Sequence, residues 1–183
     1  YIAQSDATQE YLSSYGVKKR KIKLIRQWLT DEKLIKYQKK DPLSDNRKIR
    51  IGYIGNLHYV KGLHILSKAL RMIKEKSKIE LWILSSGCDA DILDSFMGST
   101  KNNFPEIKIY NDLQNGNTLQ KMIAQLDFCV IPSICLETGP RVLLETIAQK
   151  VPSIISDSIG NKYLIKNNIN GFIFNSGDYV ELS

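Results

Sequence analysis

Residues 127–160, DFCVIPSICLETGPRVLLETIAQKVPSIISDSIG, hold the most concentrated chemistry of the chain. Glu137 and Glu145 stand either side of a Gly139-Pro140 turn that opens an amphipathic helix. An apolar strand ending at Pro132-Ser133 leads into the turn, and a second, Ser153 to Ser156, follows the helix. A helix N-terminus offers N–H groups without intrahelical partners and the positive end of the helix dipole, so it attracts phosphate. Two nearby carboxylates accept hydrogen bonds from hydroxyl groups. The combination predicts a pocket for an anionic, hydroxyl-rich ligand. A nucleotide-sugar, with a diphosphate between two hydroxyl-bearing rings, has that chemistry.

A second loop, GNLHYVKG from Gly55 to Gly62, carries the complementary charge. Lys61 stands directly before Gly62 at a helix start, where it can add a charge-assisted bond to a diphosphate held by another helix terminus. A surface lysine at an ordinary helix start has the same local sequence, and Gly55 alone reads as a turn glycine. Two glutamates eight apart are also weak evidence by themselves. His58 falls in the loop, where it could face a ligand although solvent is its simpler environment, and His64 falls on the helix as a structural residue. No Ser-His-Asp or Cys-His arrangement and no metal site can be assembled from the sequence.

The elements that must position these loops read as alternating strands and helices. Ser5-Asp6 marks a helix start and Tyr15-Gly16 its stop. Ile22 to Trp28 alternates as a strand, and Lys39 to Arg47, KKDPLSDNR, is the best linker. Strands are then expected at Ile49 to Ile54, Ile79 to Leu84, Ile107 to Tyr110, Phe128 to Ile131, Ser153 to Ser156 and Gly171 to Phe174. Helices are expected at Gly62 to Lys76, near Ala90 to Met97, at Thr118 to Leu126 and at Val142 to Gln149, with a short Lys162 to Lys166 element. The strands are continuous apolar runs, as in a sheet covered on both faces. The pattern predicts an α/β fold with a Rossmann-like, doubly wound parallel sheet. In the common strand order the first and fourth strands flank the switch point where ligands bind. The loops after those two strands are the two that carry the chemistry.

At 183 residues, 43% hydrophobic and 25% charged, the chain has the composition of one globular domain with a real core. No apolar run approaches the roughly 18 residues of a membrane span, and these residues carry no signal-peptide pattern, which proves little for a chain expected to be a fragment of a longer protein. Cys88, Cys129 and Cys135 lack metal-type spacing; Cys129 reads as a small buried hydrophobe, and a reducing compartment is expected. The net charge of +7 is uneven, with 13 Lys/Arg against 6 Asp/Glu in residues 1–50 and 13 against 13 thereafter. The excess lies in KKRKIK, Lys18 to Lys23, and in Lys33 to Lys40. It is either a solvated face or a basic surface for an anionic lipid or acceptor. Nucleic acid is not expected, because no aromatic–basic interleaving or binding motif accompanies the charge.

With these residues in place, the chain resembles the C-terminal, donor-binding half of GT-B-fold glycosyltransferases, specifically glycosyltransferase family 4. The family pattern runs strand, G-R-L-x-x-x-K-G, a later strand ending P-S, then E-x-F-G or E-x-G-P, and a second Glu eight positions on. Gly55, Leu57, Lys61, Gly62, Pro132, Ser133, Glu137, Gly139, Pro140, Leu144 and Glu145 are in register with it. The opening IAQSDATQEYLSSYGV and the following KIKLIRQWL resemble that family's interdomain helix and strand, so the similarity spans essentially the whole chain.

The resemblance implies residues 1–47 as interdomain segment and linker and 48–183 as a nucleotide-sugar-binding domain. The chain opens at Tyr1 inside a helix pattern and stops at Ser183 as another helix begins, so a longer protein with an N-terminal acceptor domain is expected. Lys61 is similar to the lysine that neutralises the donor diphosphate, and Glu137 to the carboxylate on the transferred sugar. Backbone N–H groups near Gly139 to Arg141 would assist, and Glu145 is similar to the acceptor of ribose hydroxyls. The implied activity is retaining, metal-independent transfer from a nucleotide-sugar, most commonly a UDP-sugar, with no cofactor. The implied acceptor is a saccharide or lipid-linked acceptor, in polysaccharide biosynthesis in the cytoplasm or at the inner membrane face. Two departures stand out: Asn56 replaces an arginine, with Arg141 the nearest substitute, and SSGCD, Ser85 to Asp89, replaces a G-x-G-x loop. A non-catalytic GT-B-like scaffold or accessory subunit, and a related sugar-nucleotide epimerase, are the alternatives.

Overall fold

The chain enters through a small annex of β1 (Ile2–Ala3), α1 (Asp6–Ser14) and β2 (Lys23–Leu24). Ser5 is buried and its hydroxyl caps α1 by accepting from the Thr8 N–H at 3.2 Å. The helix closes at Tyr15, with Gly16 in the left-handed region at φ 84°. These are the ends predicted from sequence. β1 and β2 pair in parallel. The expected strand over Ile22 to Trp28 is only two residues long, because its partner ends where the chain turns into the α1 cap. Beyond it, Arg26 instead reaches across to Asp6 at 2.8 Å and lies over the Tyr163 ring.

The computed structural model describes residues 1–30, 47–85, 90–100, 106–111 and 116–183. The expected linker before Arg47, the Lys33 to Lys40 cluster and residues 86–89 of the altered loop lie outside them. The main sheet consists of β3 (Ile49–Ile54), β4 (Ile79–Leu84), β5 (Ile107–Tyr110), β6 (Phe128–Ile131), β7 (Ser153–Ser156) and β8 (Gly171–Phe174). Its order is β5-β4-β3-β6-β7-β8 and every pairing is parallel. The first and fourth strands of the sheet are therefore neighbours at its centre, with the switch point between them.

Helices cover both faces. On one, α2 (Leu63–Met72) and α3 (Ala90–Thr100) close a core around Leu63, Leu66, Leu70, Leu81, Ile83 and Phe96. On the other, α4 (Gly116–Ile123) and α5 (Arg141–Ala148) enclose Ile123, Leu126, Cys129, Leu143 and Ile155. A short α6 (Tyr179–Leu182) sets Leu182 against the first core. α2 ends four residues before the expected Lys76. Ile73 keeps the apolar spacing because it still packs on the core, while its backbone is already extended. Lys162 to Leu164 forms a single 3-10 turn.

Two features tie the sheet and its loops together. Glu80 on β4 takes Lys108 at 2.5 Å and the Trp82 indole N–H at 2.6 Å, and Arg50 lies opposite it on β3. Burial pushes the Glu80 carboxyl up, but Lys108 and Trp82 outweigh it and hold it below the ordinary carboxylate range. Gly62, between the 3-10 turn Tyr59–Lys61 and α2, sits in the left-handed region at φ 74°. A Cβ there would lie 1.8 Å from the carbonyl oxygen of Pro132. Only glycine lets the two loops approach this closely.

Two outcomes follow for stability. Gly62→Ala should lose at least ~2 kcal/mol in urea unfolding through backbone strain and overpacking together. Glu80 has a depressed folded-state pKa, so its contribution is present above its unfolded value and lost as pH falls through the folded one. Glu80→Gln should therefore cost about 1 kcal/mol at about pH 7 and progressively less towards about pH 3, measured by unfolding at both ends.

Candidate functional site

The loops after β3 and β6 meet at the C-terminal edge of the sheet. The Ile134 N–H donates to the Val60 carbonyl at 2.9 Å, beside the Gly62–Pro132 contact. Between the loops lies a cleft of about 540 Å³. Gly55, Asn56, Lys61, Glu137, Pro140 and Arg141 line it together, with Tyr53, Ser133 and Val142. Lys61 and Glu137, 76 positions apart in sequence, are thereby brought to one opening.

The centre of the cleft is an ion pair. Lys61 Nζ lies 2.8 Å from Glu137 Oε2, with the Lys61 side chain 34% exposed and that of Glu137 11% exposed. The other carboxylate oxygen of Glu137 accepts a hydrogen bond from Ser133 Oγ. Tyr53 forms part of the floor and donates to the Asn56 carbonyl at 3.3 Å. Burial, and then the Glu137 charge, push its phenol well up, so it stays a neutral donor.

Glu137 is held from behind through its backbone. Its N–H donates to the Ser158 carbonyl at 3.1 Å, and its own carbonyl accepts from the Gly160 N–H at 2.8 Å. A Cβ on Gly160 would lie 2.5 Å from both Glu137 O and Ser5 Oγ, so this corner admits no side chain. Ser133 is fixed too. Its carbonyl accepts from the hydroxyls of Ser156 at 2.6 Å, Ser158 at 2.8 Å and Ser176 at 3.3 Å. This serine cluster was not anticipated from the sequence. The one available signal was the four-residue spacing from Ser133 to Glu137.

Arg141 begins α5 at the cleft, and Pro140 before it leaves the first turn without a side-chain cap. The Leu143 N–H donates to the Pro140 carbonyl at 3.1 Å, and the N–H groups of Arg141 and Val142 at the very start of the helix face an anion site beside Lys61. Asn56 occupies the position where the expected arginine would stand. Two predicted residues do not line the cleft. Gly139 is buried in the turn, and Glu145 is 4% exposed, because it falls among the buried positions of α5 with Leu143 and Thr146. It is engaged by neighbouring groups there. His58 is exposed in the loop and accepts from the Val60 N–H at 3.4 Å. His64 stacks on Tyr59 with ring centroids 4.2 Å apart, and burial, with Lys68 nearby, lowers its pKa.

Known proteins share this architecture. Residues 35–183 match the family described as Glycosyl transferases group 1. An uncharacterised glycosyltransferase of Methanocaldococcus jannaschii is 28% identical over 172 residues, which are 89% of this chain and 43% of that protein. The Anabaena protein HepE, solved in complex with UDP and glucose, superposes with a TM-score of 0.81 at 19% identity, covering 99% of this chain and 50% of that one. The lipopolysaccharide outer core galactosyltransferase WaaB, in its apo form, gives 0.80 at 20% identity, again over 99% of this chain and 50% of the other. The chain thus spans about half the length of these relatives, and its Rossmann-like sheet matches GT-B glycosyltransferase structures. With most of its length matched, the chain belongs to the glycosyl transferases group 1 family.

Proposed function

We propose that residues 48–183 are the donor-binding domain of a retaining, metal-independent glycosyltransferase of family 4, preceded by an interdomain segment in residues 1–47. The reaction would move a sugar from a nucleoside-diphosphate sugar to a saccharide or lipid-linked acceptor. A UDP-sugar is the favoured donor, since HepE carries UDP-glucose in one of its structures. The observation that carries the reading is the convergence of Lys61, Glu137 and the uncapped start of α5 on one cleft at the switch point.

In this reading the diphosphate lies against the α5 N-terminus, with Lys61 as its cation and Arg141 supplying the charge that Asn56 lacks. Glu137 accepts from the hydroxyls of the transferred sugar. Gly55, Asn56, Gly139 and Pro140 shape the backbone around the nucleotide. Glu145 receives the ribose hydroxyls from within α5, which requires the helix surface beside it to open when nucleotide enters. Charge builds on the departing diphosphate as the glycosidic bond lengthens, and preorganised cations and N–H groups stabilise it without a protein nucleophile. A partner N-terminal domain would bring the acceptor.

Thermal unfolding in UDP, GDP and ADP tests this. At ~100 times its dissociation constant a bound nucleotide adds ~2.7 kcal/mol, a rise of several degrees for a chain of this size. The expected result is a shift with one nucleotide, lost in Lys61→Ala and reduced in Arg141→Ala and Glu145→Gln. The amide is chosen at Glu145 because a truncation would open a cavity at this buried site. No shift with any nucleotide would favour a GT-B-like scaffold, a reading to which Asn56 lends its weight.

The basic segment supports a contact with the inner face of a membrane. Lys18, Lys19, Arg20, Lys21 and Lys23 are all exposed, next to the exposed Tyr11 and Tyr15 at the end of α1. Lysines and arginines near an anionic leaflet contribute about 1 kcal/mol each. The chain should sediment with vesicles containing phosphatidylserine and not with phosphatidylcholine alone. Replacing Lys18, Lys19, Arg20 and Lys21 by Gln should abolish the difference.

A further inference from the structure

We infer that the Lys61–Glu137 ion pair makes the cleft discriminate against a bare nucleoside diphosphate in favour of one that carries a sugar, with Glu137 as the residue that sets the preference. The inference rests on the donor-site reading above and adds a specificity role to the same cleft.

Both oxygens of the Glu137 carboxylate are occupied: Oε2 by the Lys61 ammonium at 2.8 Å, Oε1 by the Ser133 hydroxyl. The site is self-neutralised. A diphosphate arriving at the α5 N-terminus needs Lys61, and a charge-assisted bond to phosphate draws the ammonium away. Glu137 then loses its cation and faces a phosphate of its own sign.

The carboxylate cannot simply retreat. Its backbone is tied on both sides to the 158–160 turn, and Ser133 holds the side chain in place. At 11% exposure, water replaces the lost ammonium poorly, and an uncompensated charge in such a place is expensive. A sugar on the distal phosphate removes the difficulty. It separates the two anions, and its hydroxyls donate to Oε2 in place of Lys61. The product diphosphate, having lost that sugar, meets the penalty again, so the same pair favours its release.

Calorimetric titration of the chain with inorganic pyrophosphate, UDP and UDP-glucose tests this, in wild type, Glu137→Gln, Lys61→Ala and the double variant. Wild type should prefer UDP-glucose to UDP. Glu137→Gln, which keeps an acceptor for Ser133 and removes the charge, should bind pyrophosphate and UDP roughly 3- to 10-fold tighter. Its preference for UDP-glucose should fall by at least as much. Glu137→Ala carries the same expected sign for the two anions, should the amide perturb folding. The gain should shrink in the Lys61→Ala background, since there is no ammonium left to release. Unchanged or weaker binding of pyrophosphate and UDP by both Glu137 variants overturns the inference. A full gain without Lys61 also overturns it, because simple repulsion would then suffice. Failure of all three ligands to bind wild type overturns the donor-site reading itself, and this inference with it.

Discussion

The chemistry of this chain depends on a single close approach, that of Gly62 to the carbonyl of Pro132. It joins the loop after the first strand of the main sheet to the loop after the fourth. Parallel pairing of β3 with β6 puts the two loops at the same edge, but pairing alone leaves a gap that a side chain at Gly62 would hold open. With the glycine in its left-handed conformation, the loops lock through the Ile134–Val60 hydrogen bond, and α2 starts at once. The cation of one loop is then delivered to the carboxylate of the other.

The two sides of the cleft are built with different stiffness. Glu137 belongs to a framework of backbone bonds and serine hydroxyls converging on Ser133, Ser158 and Gly160. Lys61 ends a flexible four-carbon stem, partly in solvent, whose ammonium can point in several directions without disturbing the fold. A rigid acceptor facing a movable cation suits a site that must exchange an internal ion pair for contacts to a ligand. The Tyr53 hydroxyl, kept neutral by burial, contributes a fixed dipole below them.

Much of this was legible in the sequence, for identifiable reasons. All six strands of the main sheet lie at the expected residues, because each is a short, mainly apolar run bounded by polar turns, and the charged residues inside them, Arg50, Glu80 and Lys108, pair with one another across strands. The strand order was expected from the alternation of elements, and it placed both reactive loops at the switch point. Helix ends were less legible: Ile73 packs on the core beyond the end of α2, so apolar spacing overstated its length. Glu145 shows the limit at the site. Its position in sequence puts it on α5, but which side of that helix faces the cleft depends on how α5 is seated against the sheet. The serine cluster was hidden for a similar reason, since Ser133, the Ser156–Ser158 pair at the end of β7 and Ser176 come from three separate segments that no spacing links.

The boundary between annex and sheet domain is cleaner in sequence than in space. Ser5 Oγ and Glu137 O both crowd the position that a Gly160 side chain would need, and Arg26 rests on the Tyr163 ring just beyond. The first thirty residues thus form a buttress behind the carboxylate loop, tied to it through one shared corner. A protein trimmed to the sheet alone would retain every residue that lines the cleft and the 158–160 turn that holds Glu137, but would leave that turn open on the side where Ser5 now packs.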